Sequence, residues 1–337
     1  MLRPNDTNWT VATPVLLQTS TTTLTAVFIV LLALAGLLFS FLFICAVRNS
    51  SEYRENPYFI AARSLCYADL HCLIVMLVYT APSVYLQRQI GGTLGCAIAG
   101  FILNVGWFSA LPSQWLLAIN RYVRLCRSEQ YKFMFTLRST KLFAGICWGF
   151  GILYSLPSLS PKAYLLLDPE YFSWTWVVDN QLGEFIAFGE LTIVLSTLGF
   201  VYLVNILVFR YYSKLHNLRE TTGSDDHVRR QREFRIFVQF FLTTLWLPIV
   251  DIPFILFAYI PKAKWQGLFH IFAYMCASSA HSATYICLNK TLRRRAFKPN
   301  ATTTMLMEAA KNGEPTRTEK KLSQRSVRQA VPLPRIH

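Results

Sequence analysis

Residues 96–126 read CAIAGFILNVGWFSALPSQWLLAINRYVRLC. The middle of this stretch is apolar for long enough to cross a bilayer, since about 20 apolar residues span roughly 30 Å of hydrocarbon. It runs straight into Asn120-Arg121-Tyr122, followed by Arg124 and Arg127. An arginine at the edge of an apolar helix is costly unless it snorkels to the interface or finds polar partners. Taken alone, Arg121 is a charged anchor for one span. The stretches on either side change that reading.

The chain has 337 residues, 53% of them hydrophobic, and the apolar residues lie in long unbroken runs. These runs are too long for the helices of a soluble core and too continuous for the alternating strands of a barrel. In a soluble protein a formal charge of +15 would suggest nucleic acid. Here Lys and Arg fall between and after the apolar runs, so membrane topology accounts for the charge and no nucleic-acid partner is expected. The eight cysteines include no C-x-x-C pair and no Cys/His ligand spacing, so a disulfide framework, a metal site and a cofactor are not expected. Residues 1–23 lack the basic start and short apolar core of a cleaved signal peptide.

Apolar spans fall near 24–47, 58–84, 94–120, 141–160, 184–209, 236–260 and 267–288. Seven is odd, which puts the chain ends on opposite sides of the membrane. With the N-terminus outside, the exterior basic residues are Arg3, Arg88, Lys162, Lys262 and Lys264 out of 33. Arg48, Arg54, Lys132, Arg138, Lys214, Arg229, Arg230 and Arg293 to Arg295 then flank inner span ends, as the positive-inside rule requires. The expected fold is an all-α membrane protein. Residues 1–23 form its extracellular N-terminus and 24–288 a seven-transmembrane helix bundle joined by short loops. Residues 289–298 form a short amphipathic helix on the inner membrane surface, and 299–337 a disordered cytoplasmic tail. The sequons at Asn5 and Asn8 are then open to glycosylation, and those at Asn49, Asn289 and Asn300 are not.

Over roughly residues 24–298 the chain resembles the rhodopsin-like family of G-protein-coupled receptors. Cys96 opens the third span and Arg121 closes it at the family's spacing, and Asn120-Arg121-Tyr122 looks like the family's Asp/Glu-Arg-Tyr triplet. Asp69 lies inside the second span and Trp148 in the fourth; Trp246-Leu-Pro248 matches the sixth-span Trp-x-Pro. Tyr285, followed by the basic run Asn289–Phe297, matches the end of the seventh span. The resemblance implies a plasma-membrane, multi-pass receptor that is not an enzyme. Its implied partners are the lipid bilayer, a heterotrimeric G protein, a small-molecule or peptide ligand and, through the tail, arrestin and kinases. It also implies coupling and activation roles for Asn120, Arg121, Tyr122, Tyr202 and Tyr285. Trp246, Pro248, Asp69 and His281 would form the switch. Pro248 removes a backbone hydrogen bond and bends the sixth helix so that its inner half can swing.

The departures from the family pattern narrow the resemblance. The first span has no Asn and the fifth no Pro, and His281-Ser-Ala-Thr-Tyr285 stands in place of Asn-Pro-x-x-Tyr. Asn120 replaces the acid beside Arg121, and Val228 stands where some members place another acid, which predicts a weaker restraint on Arg121 and raised basal signalling. No Cys lies between Trp148 and the fifth span, so Cys96 lacks the usual disulfide partner and a looser top to the third helix is expected. This divergence is similar to that of the invertebrate serpentine chemoreceptors, particularly those of nematodes. His281 is expected to face Asp69, where Ala110 and Ala277 degrade the family's sodium site.

Helical spacing back from Arg121 puts Leu103, Asn104 and Trp107 on the ligand face of the third span. Glu190 in the fifth span is the strongest polar candidate, because an intramembrane acid is expensive. Trp246, Phe254 and Tyr274 complete an aromatic pocket. Asp251 lies about 140° around the helix from Trp246 at roughly 100° per residue, and so is expected to point away. The alternatives are a ligand-gated channel and a secondary transporter of seven-span topology. Against the transporter, the spans show no paired inverted repeat. Against an insect-type channel with its N-terminus inside stands the charge bias. Glycosidase treatment of the membrane-expressed chain should increase its mobility on a gel, and the double variant Asn5→Gln/Asn8→Gln should show no such shift. A chain that carries no glycan at either position would remove the outside N-terminus.

Overall fold

The computed structural model describes residues 20–160, 162–177, 181–218, 238, 241–242, 244–257 and 263–297. Asn5, Asn8, Val228 and the expected tail 299–337 lie outside the described residues. The described chain is a helical bundle with one small hairpin. The long helices are α1 (Ser20–Arg48), α2 (Pro57–Leu86), α3 (Gly92–Cys126), α4 (Leu137–Ser155), α5 (Gln181–Leu218), α6 (Trp246–Phe257) and α7 (Lys264–Leu288). A short basic helix, α8 (Lys290–Phe297), follows. Among the described residues five stretches are long and apolar enough to cross a membrane: α1, α2, α3, Leu137–Leu159 and Gln181–Tyr211. The described part of α6 is 12 residues long. The 25-residue α7 is diluted by Lys264, Gln266, His270, His281 and several serines.

Local sequence explains the boundaries. The Asn56 side chain accepts from the Tyr58 N–H at 3.0 Å, and Pro57 then occupies the first helical position of α2, where its missing N–H costs nothing. A five-residue π turn, Met76–Thr80, widens α2 just before Pro82, whose ring removes one rung of the ladder. Thr136 and Ser139 form a capping box at the start of α4, with Ser139 N–H donating to Thr136 Oγ1 at 3.1 Å and Thr136 N–H to Ser139 Oγ at 2.9 Å. Asn289 caps α8 in the same way, accepting from the N–H groups of Thr291 and Leu292 at 3.1 Å each.

α3 is the axis of the bundle and packs on α2, α4 and α5. In its most apolar window 67% of residues are buried, against 28% in α1 and in the α4 stretch. The outward faces are nonetheless apolar: Leu24, Val27, Phe28, Leu31, Leu34, Leu38 and Phe41 of α1 are all exposed. Such a surface suits lipid and not water. α1 also packs along α7 and α8. α8 is tied to the short helix Ser51–Arg54 through Arg295, which bonds Ser50 Oγ, pairs with Glu52 at 3.5 Å and lies 4.8 Å over the Tyr53 ring.

The one hairpin among the described residues corrects an expectation. Strand β1 (Leu165–Asp168) pairs antiparallel with β2 (Ser173–Trp176), and the pair lies against the Cys96 end of α3. Cys96 is fully buried and is not in a disulfide. Its thiol accepts from the Leu167 N–H at 3.1 Å and approaches the Leu165 carbonyl at 3.8 Å. Gln89 Nε2 donates to Leu167 O at 2.9 Å and Trp174 Nε1 to Thr80 Oγ1 at 3.3 Å. The top of α3 is therefore covered and pinned by hydrogen bonds, not loosened by the missing disulfide. The hairpin turn also leans on α7, where a Cβ at Gly267 would collide with the Tyr171 and Phe172 carbonyls. Gly267→Ala should therefore lose about 2 kcal/mol from overpacking against rigid backbone, read as a lower melting midpoint of the purified protein. A midpoint equal to wild type would mean that the hairpin does not rest on α7.

Candidate functional site

Near the Cys96 end a cavity opens between α2, α3, α5, α6, α7 and the hairpin. Met76, Leu103, Asn104, Trp107, Leu165, Trp174, Glu190, Val250, Asp251, His270, Ile271 and Tyr274 line it. Its free space, about 50 Å³, is room for a few water-sized atoms at ~10–15 Å³ each. Five of the residues singled out in the sequence meet here: Leu103, Asn104 and Trp107 from α3, Glu190 from α5 and Tyr274 from α7. The Trp107 and Tyr274 rings pack at a tilt with centroids 5.3 Å apart. Asn104 Nδ2 donates to Ser158 Oγ at 2.9 Å, which anchors α3 to the turn after α4. Glu190 Oε2 accepts from Trp176 Nε1, so the hairpin is bonded to a carboxylate of the cavity.

Asp251 corrects the angular argument. It is 1% exposed and lines the cavity beside Val250. An angle counted from Trp246 places Asp251 away from the cavity only if Trp246 faces it. Trp246 is half-buried and not among the lining residues. The face that α6 turns to the cavity is centred on Val250 and Asp251. The side chain of Phe254 lies outside the described residues. His270 was not singled out in the sequence, and a histidine one turn before Tyr274 on α7 was the available signal.

Between the two ends of the bundle, His281 Nδ1 lies 3.1 Å from Asp69 Oδ2, and both side chains are buried. Ser282 is bonded elsewhere, to Ser40 Oγ at 3.1 Å and to the Ser279 carbonyl at 3.1 Å. The imidazole and the carboxylate are thus each other's partner across α7 and α2. Among the described residues no group of three metal-ligating side chains occurs.

At the other end of α3, Arg121 is 2% exposed. Its guanidinium carbon sits 3.3 Å from the centroid of the Tyr58 ring, a cation–π stack. The Tyr58 hydroxyl shares a hydrogen bond with that of Tyr285. Arg121 Nε and Nη2, and both side-chain polar atoms of the buried Asn120, have no hydrogen-bond partner among the described residues. Tyr122 is half-buried against the surrounding apolar core. Tyr58 carried no sequence signal, because its role arises only where the start of α2 crosses the end of α3. A wider cleft of about 640 Å³ opens nearby, lined by Glu52, Glu55, Arg124, Tyr131 and Lys132 among others.

Tyr202 is not at Arg121. Its hydroxyl donates to the Thr244 carbonyl at 3.3 Å. Thr244 lies four residues before Pro248, so this is the carbonyl that proline's missing N–H leaves without its helical partner. Asn205 Nδ2 also donates to Thr244 Oγ1, at 3.1 Å. Two residues of α5 therefore hold Thr244, Tyr202 by its backbone carbonyl and Asn205 by its hydroxyl, where the proline interrupts the helical ladder.

The sequence profile described as Serpentine type 7TM GPCR chemoreceptor Srx matches residues 25–289. Among curated proteins the chain is similar to melatonin receptor type 1C of Xenopus laevis, 26% identical over 263 residues, which is 74% of this chain and 60% of that protein. It is 26% identical over 219 residues to melatonin receptor type 1B-B of Danio rerio, 61% of this chain and 59% of that protein. With melatonin receptor type 1A of Gallus gallus it shares 24% over 239 residues, 68% and 65% of the two chains. The chain thus spans about 60% of the length of these relatives.

Breaking the Asp69–His281 pair tests its weight. His281→Ala leaves a buried carboxylate unpaired and should lower stability by about 3 kcal/mol, whereas His281→Asn keeps a donor and should lose less. Equal melting curves for wild type and His281→Ala would show that the pair carries no stability.

Proposed function

We propose that this chain, which belongs to the serpentine type 7TM GPCR chemoreceptor family Srx, is a plasma-membrane receptor that converts binding of an external small ligand into G-protein activation. The observation that carries the reading is the family match over residues 25–289, and the similarity to melatonin receptors supports it. Nothing in the family or the relatives favours a channel or a transporter. The chain acts as an exchange catalyst only through its G protein and is not itself an enzyme. In this reading the N-terminus lies outside, α1 to α7 all cross the bilayer, and the tail after α8 lies inside, where arrestin and kinases would meet it.

The cavity around Trp107, Glu190 and Tyr274 is the ligand site. Arg121, at the far end of the same helix, is the group that meets the G protein. In the resting state the Tyr58 ring holds the guanidinium, a stack worth roughly 0.5–2 kcal/mol. That restraint is modest beside a buried ion pair with a neighbouring acid, which Asn120 cannot supply. The sixth helix moves about Pro248, and the Tyr202 bond to the Thr244 carbonyl is made or broken as it does. Asp69 and His281 join α2 to α7 between the two sites.

In a nucleotide-exchange assay with the reconstituted receptor, Arg121→Ala should abolish coupling. Asn120→Asp, by giving Arg121 an acidic neighbour, should lower basal exchange several-fold. Coupling that survives Arg121→Ala would overturn the assignment of Arg121. Unchanged basal exchange in Asn120→Asp would overturn the weak-restraint account.

A further inference from the structure

The ligand cavity has an unbalanced charge inventory. Glu190 from α5 and Asp251 from α6 both line it, and they are 8% and 1% exposed. Both carboxylates therefore face one enclosed space. Among the described residues no Lys or Arg lines the cavity, and the one basic group there is His270, whose ring is tilted against Tyr274 with centroids 6.4 Å apart. Glu190 has one partner in Trp176, whereas Asp251 Oδ2 has no hydrogen-bond partner among the described residues. On the same wall the Tyr274 hydroxyl also has no hydrogen-bond partner among the described residues. Buried polar groups are normally satisfied, and buried carboxylates are normally paired with a cation. The partner missing from this wall is therefore positive.

The rest of the lining fits the same chemistry. Trp107, Trp174 and Tyr274 present aromatic rings beside the acids, and ring faces attract a cation once it is desolvated. Leu103, Val250 and Ile271 supply apolar surface for a compact organic body. The free space of about 50 Å³ admits only a small group without movement of the walls. The Trp176–Glu190 bond makes the hairpin one such wall.

We propose that the cavity takes a small organic cation, a primary amine whose ammonium sits between Glu190 and Asp251 with its hydrocarbon against Trp107 and Tyr274. This rests on the reading of the cavity as the ligand site. The acids are on α5 and α6, so binding draws together the two helices that Tyr202 and Thr244 join further along. The amine supplies the N–H donors that Asp251 Oδ2 lacks and offsets one of the two carboxylate charges.

The test is direct binding to the purified full-length receptor in nanodiscs, followed as a shift in melting midpoint. The probes are n-butylamine and 2-phenylethylamine, with 1-butanol, 2-phenylethanol and melatonin as uncharged comparisons. Both amines should raise the midpoint in a dose-dependent way and the uncharged probes should not. Glu190→Gln and Asp251→Asn, which keep side-chain shape, should each weaken amine binding at least tenfold, and the double variant should abolish the shift. An amine and its matched alcohol that shift the midpoint equally would overturn the proposal, as would binding of melatonin alone or no shift with any probe. Acid variants that respond like wild type would overturn it too. Because the readout needs no G protein, these outcomes stand apart from a failure of coupling, which the Arg121→Ala exchange assay reports.

Discussion

Everything at the lower end of this bundle depends on how it tolerates a guanidinium that is 98% buried. Arg121 is the largest side chain in the fully buried core, and a charge in that position is expensive unless its surroundings compensate. Among the described residues the compensation comes from a ring and not from an acid. Tyr58 lies flat beneath the guanidinium, and its own hydroxyl is fixed by Tyr285. Three helices, α2, α3 and α7, thus converge on one charge. A ring restrains a cation more weakly than a carboxylate does, and it leaves the buried nitrogens Nε and Nη2 without a hydrogen-bond partner among the described residues. An arrangement that is stable but under-satisfied is suited to accept a polar partner from outside.

The same economy appears at the proline of α6. Pro248 frees the Thr244 carbonyl, and an orphaned carbonyl in an apolar bundle needs a donor. Tyr202 provides it from α5, and Asn205 holds the Thr244 hydroxyl alongside. A broken rung bridged by one neighbouring hydroxyl is a joint that can open at the cost of roughly one hydrogen bond, about 1 kcal/mol. An unbroken helix would have no such point of weakness.

What the sequence disclosed follows from the kind of signal each feature leaves. Long apolar runs, a positive flank and the order of motifs along the chain were enough to expect the bundle and the central place of α3. The faces of α3 were legible because one known point, Arg121, fixed the phase of the helix. Residues Leu103, Asn104 and Trp107 therefore fell on one wall. Asp251 was misplaced for the complementary reason. Its phase was measured from Trp246, which does not face the cavity, and an error in the reference angle carries over whole. Tyr58 and Trp176 left no trace at all, since their roles exist only where two distant segments cross. At Cys96 a missing disulfide partner is not a missing constraint, because the hairpin is bonded there without one.

That last point bears on how the cavity is closed. A disulfide at Cys96 would fasten the hairpin to α3 permanently, whatever occupied the space beneath. In its place stand a thiol accepting from Leu167, Gln89 bonded to the Leu167 carbonyl and Trp174 bonded to Thr80. Each bond is worth about 1 kcal/mol, and together they hold the lid without locking it. The fourth tie is of a different kind, because Trp176 donates to Glu190, a residue of the cavity itself. A group that binds Glu190 competes with the lid for the same carboxylate, so occupancy of the cavity and position of the hairpin are thermodynamically linked. The hairpin is thereby a part of the cavity wall that responds to what it covers.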